Sequence, residues 1–458
     1  MSDTWGVRVC TRQVTAARIT GEDGAHGPSS WVRALRHGQA VADGLYDLLR
    51  EAGIEGARLV ADVSPVLDAW LAQQPTGHNP GCRLGRVTVV RVAPSPRAIA
   101  DPFTDWPAHL SRQLDGGWLH LTGGIDLHGG RVIPTDTSRI GEAIRLAEQQ
   151  GSVAICVSAM GALLDSQVEY SVAEQLVRLA PPCPVVLAHT AGGRRFLERE
   201  KSAVLAAALL PATAGLLDDL ETATARTGSA LCLAGADGAR LGVEDARAMP
   251  TRLLGATNAL IAQGAAALAG LTTAVILLWV GDHARLLTMR QGVLRTQLVR
   301  RSTQLGDLRF SQRNAVQSIL TGPAAADLTR DLVEDRPTVL TRITAADNRG
   351  FEAFTAVLSG QLPDVHVVTE DPPLLAALGA RASLPQSEII KYAVASSNDE
   401  VQQMRHLLVQ IAQGRVLAAT DRPVELRTLT DHHAPLSFLL PGPVLLRVHV
   451  VGLPIETS

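Results

Sequence analysis

The carboxylates Glu198 and Glu200, alternating with Arg199, have the types and spacing of a general base and its partner. At a helix start the same residues would instead favour the helix macrodipole, or form a salt bridge between parts of the molecule. His189 closes the apolar run PVVLAH, where an imidazole can titrate near neutral pH, hold a ligand, or sit half-buried with its hydrogen bonds satisfied. Asp237-Gly238 reads as a hairpin turn. Asp431-His432-His433 carries metal-ligand types, yet neighbours on a strand face opposite sides and no further ligand can be placed, so a surface position is expected. The stretch AVILLWVGDHARLLTMRQGVLR has the strand–turn–strand outline of a phosphate-binding hairpin. Its tip, however, offers one glycine, Gly281, and no hydroxyl, where a phosphate needs close backbone N–H groups and a metal needs flanking carboxylates. No Gly-x-Ser-x-Gly elbow, His-Glu-x-x-His helix or Walker loop occurs.

These groups need a scaffold, and the chain is long enough to supply one of two or three domains at 458 residues. With 46% hydrophobic residues and a formal charge of -3, it has a sizeable core and no general electrostatic reason to bind nucleic acid. The five cysteines lie far apart without metal-site spacing, as in a reduced, cytoplasmic protein. Charges at the N-terminus stand where a signal peptide would carry its apolar core. Residues 253–281 hold no charge before Asp282, but their polar Thr, Asn and Gln and their change from Ala-rich to β-branched texture predict a buried helix leading into a buried strand, not a membrane span.

Periodicity predicts two short strands over 5–19, a helix over 39–52, strands at GARLVADV and GRVTVVRVA around a helical VLDAWLAQQ, and a helix SRIGEAIRLAEQQG before the buried strand SVAICVSAM. Such alternation means α/β. A long Ala- and Leu-rich helix over 196–227 and a hairpin at LCLAGADGARLG follow. Beyond residue 300 the periodicity weakens, leaving strands at LTRIT, DVHVVTE and VLLRVHVVG and a helix over 397–413.

Several of these stretches together resemble the hydantoinase/oxoprolinase family, in its A-subunit type. DPFTDWPAHL followed by LTGGIDLHGGRVIP is similar to that family's Pro-Phe-x-Asp-Trp-Pro and Gly-rich pattern, and VSAMGALLDSQVEYSVAEQL to the segment whose glutamate is here Glu169. VVLAHTAGGRRFLEREKSAVLAAAL resembles its Leu-Glu-Arg-Glu-Asn segment at His189, Leu197, Glu198, Arg199 and Glu200, with Lys201 in place of the Asn. The resemblance implies an α/β fold of two actin/hexokinase-like lobes around a cleft with a smaller C-terminal α+β extension, divided as residues 1–180, 181–300 and 301–458. It further implies hydrolysis of a cyclic amide of hydantoin or 5-oxoproline type with ATP, and candidate catalytic groups Glu169, His189, Glu198 and Asp237 that should converge in one cleft.

The family's phosphate loops map poorly onto this chain. Its first loop, Asp-x-Gly-Gly-Thr-x-Thr-Asp, falls on residues 8–15, placing Arg8, Cys10 and Arg12 where carboxylate, glycine and threonine belong. The second falls on residues 278–285 and keeps only Gly281; a third falls on DVSPVLDA. Use of ATP and Mg²⁺ in the family's manner is therefore not expected, since an arginine repels the metal and a Cβ blocks the approach of backbone to phosphate. Arg8, Arg12 and Arg285 are left either as a metal-free anion site or as solvated loop residues. The alternative function is a non-catalytic relative serving an active paralogue or companion hydantoinase-type subunit.

Overall fold

Alternating apolar and polar residues in TWGVRV and QVTAARI produce β1 (Thr4–Val9) and β2 (Gln13–Ile19), an antiparallel pair extended by β3 (Pro28–Ala34). The computed structural model describes residues 4–19, 28–36, 39–73, 84–95, 100–125, 132–179, 184–191, 195–280, 283–303, 306–315, 318–321, 337–342, 348–361, 364–395, 397–420, 423–435 and 442–455. After α1 (Val41–Glu51), which buries Leu45, Leu48 and Leu49, β4 (Arg58–Asp62) adds parallel to β1 and leads into α2 (Ser64–Gln73).

Uninterrupted apolar runs build a second, wholly parallel sheet. Its members are β5 (Val87–Ala93) and β6 (Asp115–Thr122), then, beyond the small pair β7 (Gly124–Ile125) and β8 (Val132–Ile133), β9 (Ala154–Ala159) and β10 (Val185–Leu187). The order is β10-β9-β5-β6. The crossovers carry α3 (Ala108–Leu114), α4 (Ile140–Gln150) and α5 (Gln167–Leu179), as parallel pairing requires. Gly151 ends α4 at φ 61°, a left-handed conformation that returns its N–H to the carbonyls of Ala147 and Glu148.

The Ala- and Leu-rich segment forms α6 (Phe196–Ala225), 30 residues long. It is long and apolar enough to cross a membrane, yet most of its apolar stretch is buried against α1, β9 and β10. β11 (Ala230–Ala234) then pairs parallel with β4 and turns into β12 (Ala239–Leu241), followed by α7 (Val243–Ala248) and α8 (Thr257–Leu268).

A third sheet starts from β13 (Ala274–Val280) and β14 (His283–Arg290), the two arms of the hairpin singled out in the sequence. β15 (Val293–Leu294) continues it, and a separate two-stranded ribbon, β16 (Thr296–Thr303) and β17 (Gly306–Ala315), follows. β18 (Ser318–Thr321) pairs with β14, while β19 (Thr338–Arg342), α9 (Asn348–Gln361) and β20 (Val365–Val368) extend the sheet in parallel on the other side of β13. Beyond α10 (Pro372–Ala382), β21 (Leu384–Ala395), α11 (Asn398–Ala418), β22 (Val424–Pro435) and β23 (Gly442–Pro454) rejoin the first sheet. That sheet therefore reads β22-β23-β21-β12-β11-β4-β1-β2-β3.

The first and third sheets share a plan. In each, a central strand, β1 or β13, has an antiparallel hairpin partner on one side and a parallel strand on the other, β4 or β19. Helix α10 joins the two sheets by packing on α8, β1, β2 and β4. The approach is close enough to need glycine: a Cβ on Gly379 would lie 1.8 Å from the Leu260 carbonyl oxygen, and one on Gly264 1.9 Å from that of Leu375. The mixed α/β architecture is the one the sequence pattern calls for.

Candidate functional site

In a parallel sheet the carboxyl ends of the strands are where loops and helix starts gather polar groups. Strand register brings Arg91 of β5 level with Ser158 of β9, on the same face, and α6 crosses beneath that face. Arg91 is 2% exposed and grips Glu200 of α6 with two bonds, Nε to Oε2 at 3.0 Å and Nη2 to Oε1 at 2.5 Å. Ser158 Oγ donates to the same carboxylate at 2.5 Å, and Arg91 Nη1 donates to the Ala100 carbonyl at 2.7 Å. The guanidinium also lies 5.6 Å from the rings of Trp118 and Phe196. A bidentate pair with further hydrogen bonds is the arrangement that makes burial of two charges tolerable.

One residue farther along β9, the Ala159 N–H donates to Glu169 Oε1 at 2.9 Å. Glu169 sits in the first turn of α5, completely buried. Its Oε2 receives the His189 backbone N–H at 2.9 Å and faces His189 Nδ1 at 2.7 Å. His189 stands in the single 3₁₀ turn after β10, with the Tyr170 ring edge-on at 5.1 Å. A carboxylate acceptor at Nδ1 fixes the neutral imidazole as the Nδ1–H tautomer and leaves the lone pair on Nε2. The pair is thus equipped to take a proton at Nε2, with Glu169 to stabilise the resulting imidazolium.

Arg199 lies beside both carboxylates and Tyr392; burial pulls its pKa down, while Glu169, Glu200 and Tyr392 oppose that fall. Tyr392 comes from β21, whose backbone N–H at that residue donates to the Leu163 carbonyl at 3.2 Å, so the C-terminal strand reaches the centre. Burial, reinforced by Glu200 and Glu169, pushes the Cys156 thiol well up.

The four candidate catalytic groups come from four different elements. Glu169 and His189 touch; Glu198 lies in the first turn of α6 beside Arg195, at 3.7 Å, as a helix-start acid does. Asp237 is in the β11–β12 turn of the first sheet, where its Oδ1 accepts the Ala239 N–H at 3.1 Å and Gly238 takes φ 77°. Gly281 and Asp282 lie outside the described residues. Asp431 is paired with Arg405 at 2.5 Å on the surface. Among the described residues, no group of three or more His, Cys, Asp or Glu side chains could hold a metal.

A second polar cluster lies at the carboxyl ends of β1 and β4. Arg8, level with Asp62 in the parallel register, donates from Nη1 to Asp62 Oδ2 at 2.9 Å. Asp62 is completely buried, and its Oδ1 accepts the backbone N–H and the hydroxyl of Ser64 at 3.0 and 2.6 Å. Thr257, at the start of α8, places Oγ1 3.5 Å from Arg8 Nη1 and 3.4 Å from Ser64 Oγ. Arg8 is thereby turned inward to a carboxylate, whereas Arg12 is exposed at the β1–β2 turn and Arg285 stands opposite Leu278 in the β13–β14 pair. The sequence reading did not single out Arg91 or Ser158, and met Asp62 only as the first position of the third loop. A lone arginine in the valine run of a buried parallel strand was the available signal, because such a charge must find a partner.

No family profile and no curated protein sequence matches the chain. Solved structures do. The ATP-dependent caprolactamase from Pseudomonas jessenii superimposes with a TM-score of 0.68 at 11% identity, covering 99% of this chain and 89% of that one. The nucleotide-free structure of acetone carboxylase, from work on ATP-dependent acetone carboxylation, gives a TM-score of 0.62 at 11% identity, covering 99% and 88%. The chain has the fold of these two enzymes. At that identity the likeness carries architecture and not chemistry.

Proposed function

We propose that this chain is a hydantoinase/oxoprolinase-type protein, built as two actin/hexokinase-like lobes centred on β1 and β13, that acts on a cyclic amide of hydantoin or 5-oxoproline type without Mg²⁺ and ATP at the β1–β2 hairpin. The observation that carries the loss of nucleotide use is the Arg8–Asp62 ion pair. A metal-bound triphosphate needs free carboxylate oxygens and backbone donors. Here a guanidinium fills the place of a metal anchor and Asp62 is spent on Arg8 and Ser64, so the residues do not fit the group.

The remaining chemistry resides in Glu169 and His189. In this reading His189 Nε2 takes the proton of a water molecule as its oxygen attacks the amide carbon, and returns it to the ring nitrogen as the C–N bond breaks. Glu169 holds the imidazole in the required tautomer. A second reading, a non-catalytic companion of an active paralogue or hydantoinase-type subunit, is favoured by one observation: Arg91, Glu200 and Ser158 spend their hydrogen bonds on one another and on backbone.

Calorimetric titration with ATP, with and without Mg²⁺, tests the first claim, and no heat is expected in either buffer. Binding tighter than about 100 μM, roughly 5.5 kcal/mol, that strengthens with Mg²⁺ would overturn it. Ring opening of hydantoin or 5-oxoproline that is lost in His189→Gln supports the hydrolase; no turnover together with co-purification of a second subunit supports the companion.

A further inference from the structure

Helices α8 and α10 meet through their backbones, with no side chain between them at the closest contact. A Cβ on Gly264 would lie 2.7 Å from the Leu375 carbonyl carbon and 2.9 Å from the Gly379 nitrogen, and one on Gly379 would run into the Leu260 carbonyl. The contact is reciprocal. Each glycine makes the hollow that receives a carbonyl of the other helix, and the two hollows lie one turn, about 6 Å, apart along each helix. A single contact of this kind would be a pivot. Two of them resist rotation, because turning one helix on the other drives a carbonyl oxygen into a Cα at one end as it withdraws at the other. Packed helices can also slide by small adjustments, but at this contact there is no side chain to adjust.

Each helix is fixed in turn to its own sheet. A second backbone contact seats α10 on β1, where a Cβ on Gly6 would coincide with the Ala377 carbonyl. Arg381 Nε donates to the Thr4 carbonyl at 3.0 Å, and Arg240 of β12 donates to the Ser383 carbonyl, just past the end of α10, at 2.7 Å. Helix α8 packs on β13 and β19. One apolar cluster runs from Val60 and Ala234 of the first sheet through Leu260 and Ala376 to Ile276 and Val339 of the third.

We propose that this reciprocal glycine contact is a lock: the first and third sheets move as one body, and the angle between them stays fixed when a ligand arrives. A ligand taken up at their carboxyl ends would then meet a preformed surface and not a closing one. The proposal is independent of the chemistry at His189.

Pulsed electron–electron resonance between nitroxides on the two sheets is the test, in the full chain and without ligand. The keto amino acid p-acetylphenylalanine, placed at the exposed Val32 of β3 and Val357 of α9, carries the labels and leaves the native cysteines untouched. Phe351 and Leu358 anchor α9 on the third sheet. The distance distribution should be a single peak, as narrow as that of a control pair inside the first sheet, Val32 and Val394. Gly264→Ala, whose Cβ must push α8 away from α10, should broaden it. Thr257→Ala, which removes the hydroxyl near Arg8 and Ser64, should leave it as it is. A second or broader population in the unsubstituted chain, a folded Gly264→Ala protein with the original peak, or broadening by Thr257→Ala would each overturn the proposal. Circular dichroism establishes whether Gly264→Ala folds, and if it does not, the unsubstituted chain and Thr257→Ala decide.

Discussion

Asp62 and Glu169 occupy equivalent kinds of position and have opposite fates. Both are completely buried, and both sit where parallel strands give way to a helix. Asp62 is answered by a permanent cation, Arg8, and by the hydroxyl that starts α2. Glu169 is answered by two backbone N–H groups and an imidazole, which leaves one ring nitrogen able to exchange a proton. A guanidinium cannot change its charge at any ordinary pH, whereas an imidazole can. The first arrangement is a fixed charge pair and the second contains a side chain whose type can change charge, although the carboxylates alone look alike.

That contrast breaks most visibly at Arg8. Arg8→Ala leaves a buried, unpaired carboxylate and should cost about 3 kcal/mol in urea unfolding, while adding Asp62→Asn to it should restore most of the loss. A cost below about 1 kcal/mol would mean that Asp62 is hydrated or protonated and that the ion pair is not what fills this site. Glu169→Gln sharpens the other half. Its amide oxygen replaces only one of the two carboxylate oxygens and sets an NH₂ group against either the Ala159 N–H or the two His189 donors, so about 1–3 kcal/mol should be lost, and with the NH₂ on the histidine side imidazole ¹⁵N shifts should show that the Nδ1–H tautomer is no longer enforced. An unchanged tautomer would assign the orientation of His189 to its backbone.

The smallest effect concerns Cys156, which lies near Glu200 and Glu169. Its folded pKa is raised by burial and by Glu200 and Glu169, so the native state holds the thiol proton more tightly than the unfolded chain. The stabilisation is complete below the unfolded pKa of about 8.5 and is lost as pH rises above it, with a slope of at most about 1.4 kcal/mol per pH unit. Cys156→Ala should therefore flatten the decline of stability between about pH 8.5 and pH 10 relative to wild type, without changing it near neutrality. Equal slopes would place the thiol in contact with water.

The parts of this fold that were legible in the sequence are those with one buried face. The segments VADGLYDLLRE and IGEAIRLAEQQ are helices because their apolar residues keep a helical period, and α6 announced itself by length and composition. Helix α10 did not, because PPLLAALGARA is packed by β1 on one side and α8 on another and so has no polar face to set a period. The same logic governs the site. His189 stood out as the end of an apolar run, while Glu169 was reachable only through resemblance, since a glutamate in an amphipathic helix resembles any solvated one. Arg91 and Glu200 are 109 residues apart, and nothing local marks them as partners. Only the crossing of α6 under β5 makes them so.

The closure of the first sheet by β21–β23 has a consequence for biogenesis. β12 takes its outer partner from residues 384–385, nearly 150 positions later in the chain. During synthesis the edge of β12 is therefore exposed until the last quarter of the protein has emerged, and so long-range a pairing is slow to find. An unpaired strand edge that waits in this way invites intermolecular pairing, which makes the C-terminal strands a protective seal as much as a structural extension. A chain truncated before β21 should aggregate as it is made, however complete its first sheet is otherwise.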